Sequence, residues 1–438
     1  MTADYRSRIV TADEAVAVVE SGQRVYIHNG CAEPTELVKA LTRRGPLLRD
    51  VEVMHMATMG VADYSLPEHE GHFRTNSLFI AGNVRQAIQE GRGDYTPVFL
   101  SDIEALFASG AVPIDVALLQ STPPDAYGYV SLGPSVDVSL TVARHARHVV
   151  MEINDRMPRT LGDAFVHVSR VDAFIETSHP LAEYPRHQVT EQHRAIARNV
   201  AGLIPDGATI QTGIGGIPEA TLALLTNHKD LGIHSEMVPD GAIDLIERGV
   251  VNGERKTLHP QKVIAGFVLG SQRLFDFIDN NPIFEFHPTA YCNDPMIIAR
   301  NDRMVAINAA IEVDLTGQVC ADSLGRNPYS GIGGQVDFLR GAARARGGVP
   351  IIALPSTAKN GTVSRIATLL QPGAGVVTSR GDVHYVVTEH GVAYLHGKTL
   401  RQRAEALIQV ADPKFRVELE QFASSHNLLR GGRSRVGT

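Results

Sequence analysis

The chain has 438 residues, 43% hydrophobic and 20% charged, which is too long for one ordinary domain and apolar enough to bury large cores, so general disorder is excluded. Its net charge of −7 is modest and both signs are interspersed, which points to neither nucleic acid nor a membrane surface as a partner. Three dispersed cysteines, Cys31, Cys292 and Cys320, do not make a disulfide framework and fit a reducing compartment. The first twenty residues carry Asp4, Asp13, Glu14 and Glu20, so they lack a signal-peptide core, and no apolar run is long enough to span a bilayer. A cytoplasmic location is expected.

In chain order, Thr11 to Glu20 reads as an amphipathic helix capped by Thr11 with acids in its first turn. Residues 24–28 read as a strand, 29–33 as a turn, and Pro34 as the opening of a helix through Leu41. The same sentence is written again at 206–225: a strand to Thr212, the glycine turn Gly213-Ile-Gly-Gly-Ile217, then a helix from Pro218 through Leu225. Gly22 answers Gly207 and Pro34 answers Pro218. A second echo pairs Asp125 and Gly128 with Asp314 and Gly317, each an apolar strand running into an Asp-x-x-Gly turn. Two echoes in one order imply a tandem duplication, two α/β halves with mainly parallel sheets over 1–188 and 189–438.

The halves differ at one point of chemical weight. Asp50 to Met56 echoes Asp230 to Glu236, so Met56 stands where the second half carries Glu236. The stretch Leu231-Gly-Ile-His-Ser-Glu236-Met-Val-Pro-Asp240-Gly241 reads as a short apolar strand with Glu236 at its end. In open α/β sheets ligands sit beyond the carboxyl ends of the strands, where such a carboxylate can serve as nucleophile or base. One active site is therefore expected, built by the second half and covered by the first.

Gly213, Gly215 and Glu236 also invite a dinucleotide reading, but Pro218 replaces the third glycine. A glycine turn at a helix start still offers N–H groups to an anion. Tyr329-Ser-Gly-Ile-Gly-Gly-Gln335, followed by a helical pattern over 336–345, is a second such loop, suited to an oxyanion or a thioester carbonyl. Lys359, in Ser356-Thr-Ala-Lys-Asn-Gly361, suits a phosphate. Among 18 histidines no metal set stands out; His69 and His72 are separated by helix-breaking Gly71 and belong to a loop. No Gly-x-Ser-x-Gly elbow occurs. The arginines at 430, 433 and 435 read as a solvated tail.

Gly213-Ile-Gly-Gly-Ile-Pro-Glu-Ala220, His234-Ser-Glu-Met237, Ser330-Gly-Ile-Gly-Gly-Gln-Val-Asp-Phe338 and Thr388-Glu-His-Gly-Val-Ala393 together resemble the acetyl-CoA hydrolase/transferase family. Gly91-Arg-Gly-Asp-Tyr-Thr-Pro97 and Ser121-Thr-Pro-Pro-Asp-Ala-Tyr-Gly128 extend the likeness through the first half, toward members that move CoA onto butyrate or 4-hydroxybutyrate. The resemblance implies two tandem open α/β domains of the CoA-transferase type. It implies Glu236 as nucleophile, with Gly334, Asn293 and Glu389 in the catalytic site. It places Gly213, Ile214, Gly215, Gly216, Ile217, Ile311, Gly334 and Lys359 against CoA, with Lys359 and the 213–217 loop on its phosphates. Acyl-CoA and short carboxylates (acetate, butyrate, 4-hydroxybutyrate or a small dicarboxylate) are the expected substrates, with no tightly bound cofactor, no metal and a homo-oligomeric assembly. The open alternatives are an acyl-CoA hydrolase, a nicotinamide-dependent dehydrogenase and a non-catalytic CoA-binding module.

Overall fold

The computed structural model describes residues 5–429, and the arginines at 430, 433 and 435 lie outside them. Its strands gather into two large sheets of one plan. The first contains β1 (Arg24–Ile27), β2 (Val51–His55), β3 (Phe73–Ser77), β4 (Gly93–Tyr95), β5 (Val116–Ser121), β6 (His148–Asn154) and β7 (Ala173–Thr177). They are all parallel, in the spatial order β4-β3-β2-β1-β5-β6-β7. The second contains β8 (Thr209–Gln211), β9 (Gly232–Pro239), β10 (Val263–Leu269), β11 (Phe284–Phe286), β12 (Met304–Ala309), β13 (Val349–Ala353), β14 (Tyr385–Thr388) and β15 (Gly391–Tyr394). Their order is β11-β10-β9-β8-β12-β13-β14-β15, parallel except for the antiparallel edge strand β15. Every residue of β5 and of β10 is buried, as helices on both faces of a parallel sheet require.

The duplication extends to single hydrogen bonds. Asp125 Oδ1 accepts from the N–H groups of Tyr127 and Tyr129, and Asp314 Oδ1 from those of Thr316 and Gln318. Gly128 and Gly317 close these turns at φ 84° and 93°, a region in which a side chain would be strained. Asp50 and Asp230 enter the paired strands β2 and β9 at φ 52° and 54°.

Several boundaries differ from the expectation. The helix from Thr11 lasts only over Ala12–Ala15, with the Thr11–Glu14 capping box formed, and then tightens to a 3-10 turn over Val16–Val18. The run of β-branched valines there favours leaving the α-helix. The first Pro-led helix is α1 (Thr35–Arg43) and the second is α2 (Gly216–Leu224), which starts two residues before Pro218. The apolar run at 307–314 is not one strand. β12 ends at Ala309, and Glu312–Asp314 joins a small separate sheet with Val319–Cys320 and Ile366–Ala367. Helices α4 (Leu400–Val410) and α5 (Pro413–Ser425) pack apolar side chains into the core beneath that sheet, after α3 (Gln335–Arg344).

The two halves share a core, and segments of the first lie along the second sheet. Residues 134–137 run against β10, with Val268 N–H bonded to Pro134 O at 2.8 Å and Val136 N–H to Gly266 O at 3.1 Å. Gly162 pairs with Phe286 at β11. All three cysteines are buried and free. Among the described residues no helix is long and apolar enough to cross a membrane.

Candidate active site

Glu236 is not at a strand's end but inside β9, which continues to Pro239. Its setting is nevertheless an edge. The neighbouring β8 stops at Gln211, and β10 pairs with Ser235 and Met237 while skipping Glu236. Thr212 is still bonded to Ser235, through Ser235 Oγ to Thr212 O at 3.1 Å, so the Gly213 turn opens directly beside Glu236. β8 and β12 flank the point where strand order reverses, the usual place for a ligand crevice in an open sheet.

Glu236 is only partly accessible. Asn293 Nδ2 donates to its Oε2 at 3.0 Å, and the backbone N–H of Gly334 lies beside the same carboxyl group. Burial is the main reason that its pKa is pushed up to about 7, with Asp337 adding repulsion and the two donors pulling the other way. Asp337 is itself raised to about 6 by burial.

Gly334 caps α3 at φ −93°, which any residue adopts; glycine is required there for space. A Cβ at this position would fall on Glu236 Oε2 and Asn293 Nδ2, well inside van der Waals contact. The loop that delivers Gly334 is held from the first half. Ile80 N–H bonds Ser330 O at 3.1 Å, Leu100 N–H bonds Gly333 O at 3.2 Å, and Ile332 N–H bonds the Tyr95 hydroxyl at 3.1 Å. Ser101 donates to Asp337 from its hydroxyl at 2.9 Å and its N–H at 3.1 Å. Ser101, Tyr95 and Asp337 thus support the site without having been assigned a role from sequence. Asp337 and Tyr95 fall within the Ser330–Phe338 and Gly91–Pro97 motifs, but their partners are more than two hundred positions away.

The first half has no counterpart of this opening. Met56 is buried, and its N–H bonds Asn29 Oδ1 at 2.8 Å. Asn29 in turn donates to Asp137 at 2.9 Å, closing the equivalent position with an internal network.

The other expected residues divide. Gly213 to Ile217 form the turn beside Glu236, and Gly215 is the N-cap of α2 at φ 115°. Ile214 lines a cavity of about 310 Å³ with Tyr184, Arg186 and Asp240. Ile311 and Lys359 line a different cleft, of about 520 Å³, together with Arg365, Leu369, Phe415 and Leu419. Lys359 and the 213–217 turn are therefore not brought into one pocket. Lys359 follows β13 at the sheet's carboxyl edge, whereas the turn faces the carboxylate. Glu389 joins neither group. It accepts from Ser356 Oγ at 2.6 Å, Ser356 N–H at 2.9 Å and Gln192 at 2.6 Å; burial pushes its pKa up, but these bonds prevail and hold it below the ordinary value. His72 is engaged by Leu48 O at 2.9 Å and by Arg49, as a surface-loop residue. Three residues not singled out in sequence do come together, His259, Glu285 and His287.

A partly accessible carboxylate with an amide donor fixed on one oxygen has the form of a nucleophile whose own carbonyl can be polarised. Comparisons with known proteins give the family. Residues 1–182 match the acetyl-CoA hydrolase/transferase N-terminal domain and residues 270–423 the C-terminal domain of the same family. The chain is 49% identical over 415 residues to the 4-hydroxybutyrate coenzyme A transferase of Clostridium kluyveri, covering 95% of this chain and 97% of that protein. It is 48% identical to the succinyl-CoA:acetate/propanoyl-CoA:succinate CoA transferase of Fasciola hepatica, covering 94% and 86%. A crystal structure of 4-hydroxybutyrate CoA-transferase from Porphyromonas gingivalis matches with a TM-score of 0.83 at 41% identity, covering 96% of this chain and 98% of that one. Glu236 and the 213–217 turn lie between the two matched domain segments.

Proposed function

The chain belongs to the acetyl-CoA hydrolase/transferase family and is a CoA-transferase, and from that premise we propose that it moves CoA from an acyl-CoA to a short-chain carboxylate by way of a Glu236-CoA thioester. The observation that carries this reading is the partly accessible carboxyl group of Glu236, whose Oε2 accepts from Asn293 Nδ2 and which lies beside the Gly334 N–H.

In the first step, Oε1 attacks the thioester carbonyl, the C–S bond breaks, and CoA leaves as thiolate, giving a mixed acyl-glutamyl anhydride. The thiolate then attacks Cδ of Glu236. The oxyanion of this second attack develops on Oε2, where Asn293 already donates and the Gly334 N–H lies close by; one well-placed donor is worth about 3–4 kcal/mol. The anhydride C–O bond breaks, the first carboxylate departs, and the CoA thioester of Glu236 remains. An incoming carboxylate reverses both steps, so thioester energy is conserved without ATP. Glu236 has to be ionised for the first attack, and shielding it from water limits hydrolysis.

The 213–217 turn supplies N–H groups to the reacting end of the substrate, from its place beside Glu236. Lys359 and Arg365 supply charge to the phosphates of CoA above an apolar floor formed by Ile311, Leu369 and Phe415. Glu389 acts on Ser356 and Gln192 rather than on the reacting atoms. The relatives are named for 4-hydroxybutyrate, succinate, acetate and propanoate, and acceptors of this class are proposed here.

Incubation with acyl-CoA and no acceptor, followed by intact-mass measurement, is expected to show one CoA added to the wild-type chain and none to Glu236→Ala. Addition of short carboxylates should then discharge the adduct as new acyl-CoA. A wild-type chain that never gains CoA, or a fully active Glu236→Ala variant, refutes the covalent route. CoA release that no carboxylate accelerates would make the protein a hydrolase instead.

A further inference from the structure

His259, Glu285 and His287 form a second constellation, outside the hydrogen bonds that hold Glu236. One ligand-type atom from each lies within 4.8 Å of the others. His259 Nδ1 is 3.1 Å from Glu285 Oε2, and His287 Nε2 is 3.6 Å from the same oxygen. The outward nitrogens are already engaged. His259 Nε2 is 2.6 Å from the Tyr291 hydroxyl, and His287 Nδ1 is 3.4 Å from Asp163 Oδ2. His287 Nε2, pointing inward, is buried with no hydrogen-bond partner. This is how metal-binding imidazoles are commonly held: one nitrogen toward the ion and the other oriented by a carboxylate or hydroxyl.

We propose that His259 Nδ1, Glu285 Oε2 and His287 Nε2 bind a divalent transition metal of the Zn²⁺ class, with Asp163 and Tyr291 orienting the two imidazoles. Two imidazoles and one carboxylate suit Zn²⁺ or Co²⁺ and are too soft a set for Mg²⁺ or Ca²⁺, which prefer all-oxygen shells. The three side chains are 14–26% exposed, so an ion can enter and keep a solvent ligand in the fourth position. The surrounding cations are restrained. Burial lowers Lys256 to about 7 and His234 to about 3, and Lys262 approaches only the far oxygen of Glu285, at 3.7 Å, while also donating to Pro282 O at 2.6 Å.

The site's position gives the ion a structural task. Asp163 comes from the first half, and His287 lies at the start of the segment 287–293, whose short helix Thr289–Cys292 ends on Asn293, the donor to Glu236 Oε2. An ion here would fasten that segment between the two halves. The inference does not rest on the transfer mechanism, and its test does not use turnover.

The protein is stripped with a chelator and titrated with Zn²⁺ alone by calorimetry, and with Co²⁺ alone by visible absorption. Wild type is expected to bind one Zn²⁺ per chain at micromolar or tighter affinity and to develop the strong visible bands of four-coordinate Co²⁺. His287→Ala and the near-isosteric Glu285→Gln should each lose at least 100-fold in affinity together with those bands, and Asp163→Asn about 10-fold. Circular dichroism confirms that each variant is folded, and Glu285→Gln carries the test if His287→Ala is not. Equal Zn²⁺ uptake by wild type and a His259→Ala/His287→Ala double variant overturns the proposal, as does a wild type without the Co²⁺ bands.

Discussion

Glu236 is a residue whose ionisation opposes stability. Its pKa is raised from an ordinary 4.5 to about 7, so the folded state holds a proton that the unfolded chain has already released between those values. Stability from this group is full below about pH 4.5 and falls as pH rises toward 7. Glu236→Gln removes the penalty, and is expected to stabilise the fold by about 1–3 kcal/mol at pH 8, allowing for partial exposure, and by little at pH 4.5. Denaturant unfolding at the two pH values checks this; a gain equal at both would place its origin elsewhere. In the wild type, kcat/KM for acyl-CoA should rise with pH through a midpoint near 7, because only the ionised carboxylate attacks. Glu236 was legible in the sequence because the duplication supplies an internal control, Met56, at the echoing position. Asp337, which repels Glu236 and accepts from Ser101, was not, because nothing in a one-dimensional pattern places Ser101 next to it.

At the scale of elements, the glycine loop 329–334 and the helix α3 that follows it bring Gly334 against Glu236 and Asn293. The loop was readable as an oxyanion-type turn from its composition alone. The specific demand on Gly334 was not, since it comes from the approach of Glu236 and Asn293 rather than from backbone torsion. Gly334→Ala should therefore fold with a loss of about 1–3 kcal/mol, typical of overpacking, while transfer falls at least 100-fold because the new methyl occupies the place of the carboxylate. Melting curves and acyl transfer measured on the same sample separate the two effects; more than a tenth of wild-type activity would refute the steric reading. Strand limits were less legible than element type. Pro239 and Gly241 read as breakers and put Glu236 at a strand end, yet β9 runs on to Pro239 beside the buried β10. The crevice arises because β8 is short, not because β9 stops.

At the scale of the whole molecule, two sheets with one strand order have diverged into a closed half and an open half. The order was foreshadowed by the echoes at Gly22 and Gly207 and at Asp125 and Asp314, which are local turn signatures and survive in sequence. That the second half carries the site follows from Met56 answering Glu236, but the bracing does not: Ile80, Leu100 and residues 134–137 of the first half bond to the second, and such long-range contacts leave no periodic trace. The open half also separates the two features proposed to recognise CoA, the 213–217 turn beside Glu236 and the Lys359 cleft elsewhere. Binding energy gained on the remote nucleotide can then be used to drive the thioester onto the carboxylate. Lys359 has φ 49°, a conformation that alanine tolerates no better and no worse than lysine, so Lys359→Ala tests the side chain rather than the backbone. With CoA esters kcat/KM should fall about 10–100-fold, the worth of one charge-assisted contact to phosphate. With truncated pantetheine thioesters, which lack the nucleotide, it should change less than about 3-fold, because the interaction removed was never made. Equal losses on both substrates would show that Lys359 supports the loop instead of reading the nucleotide.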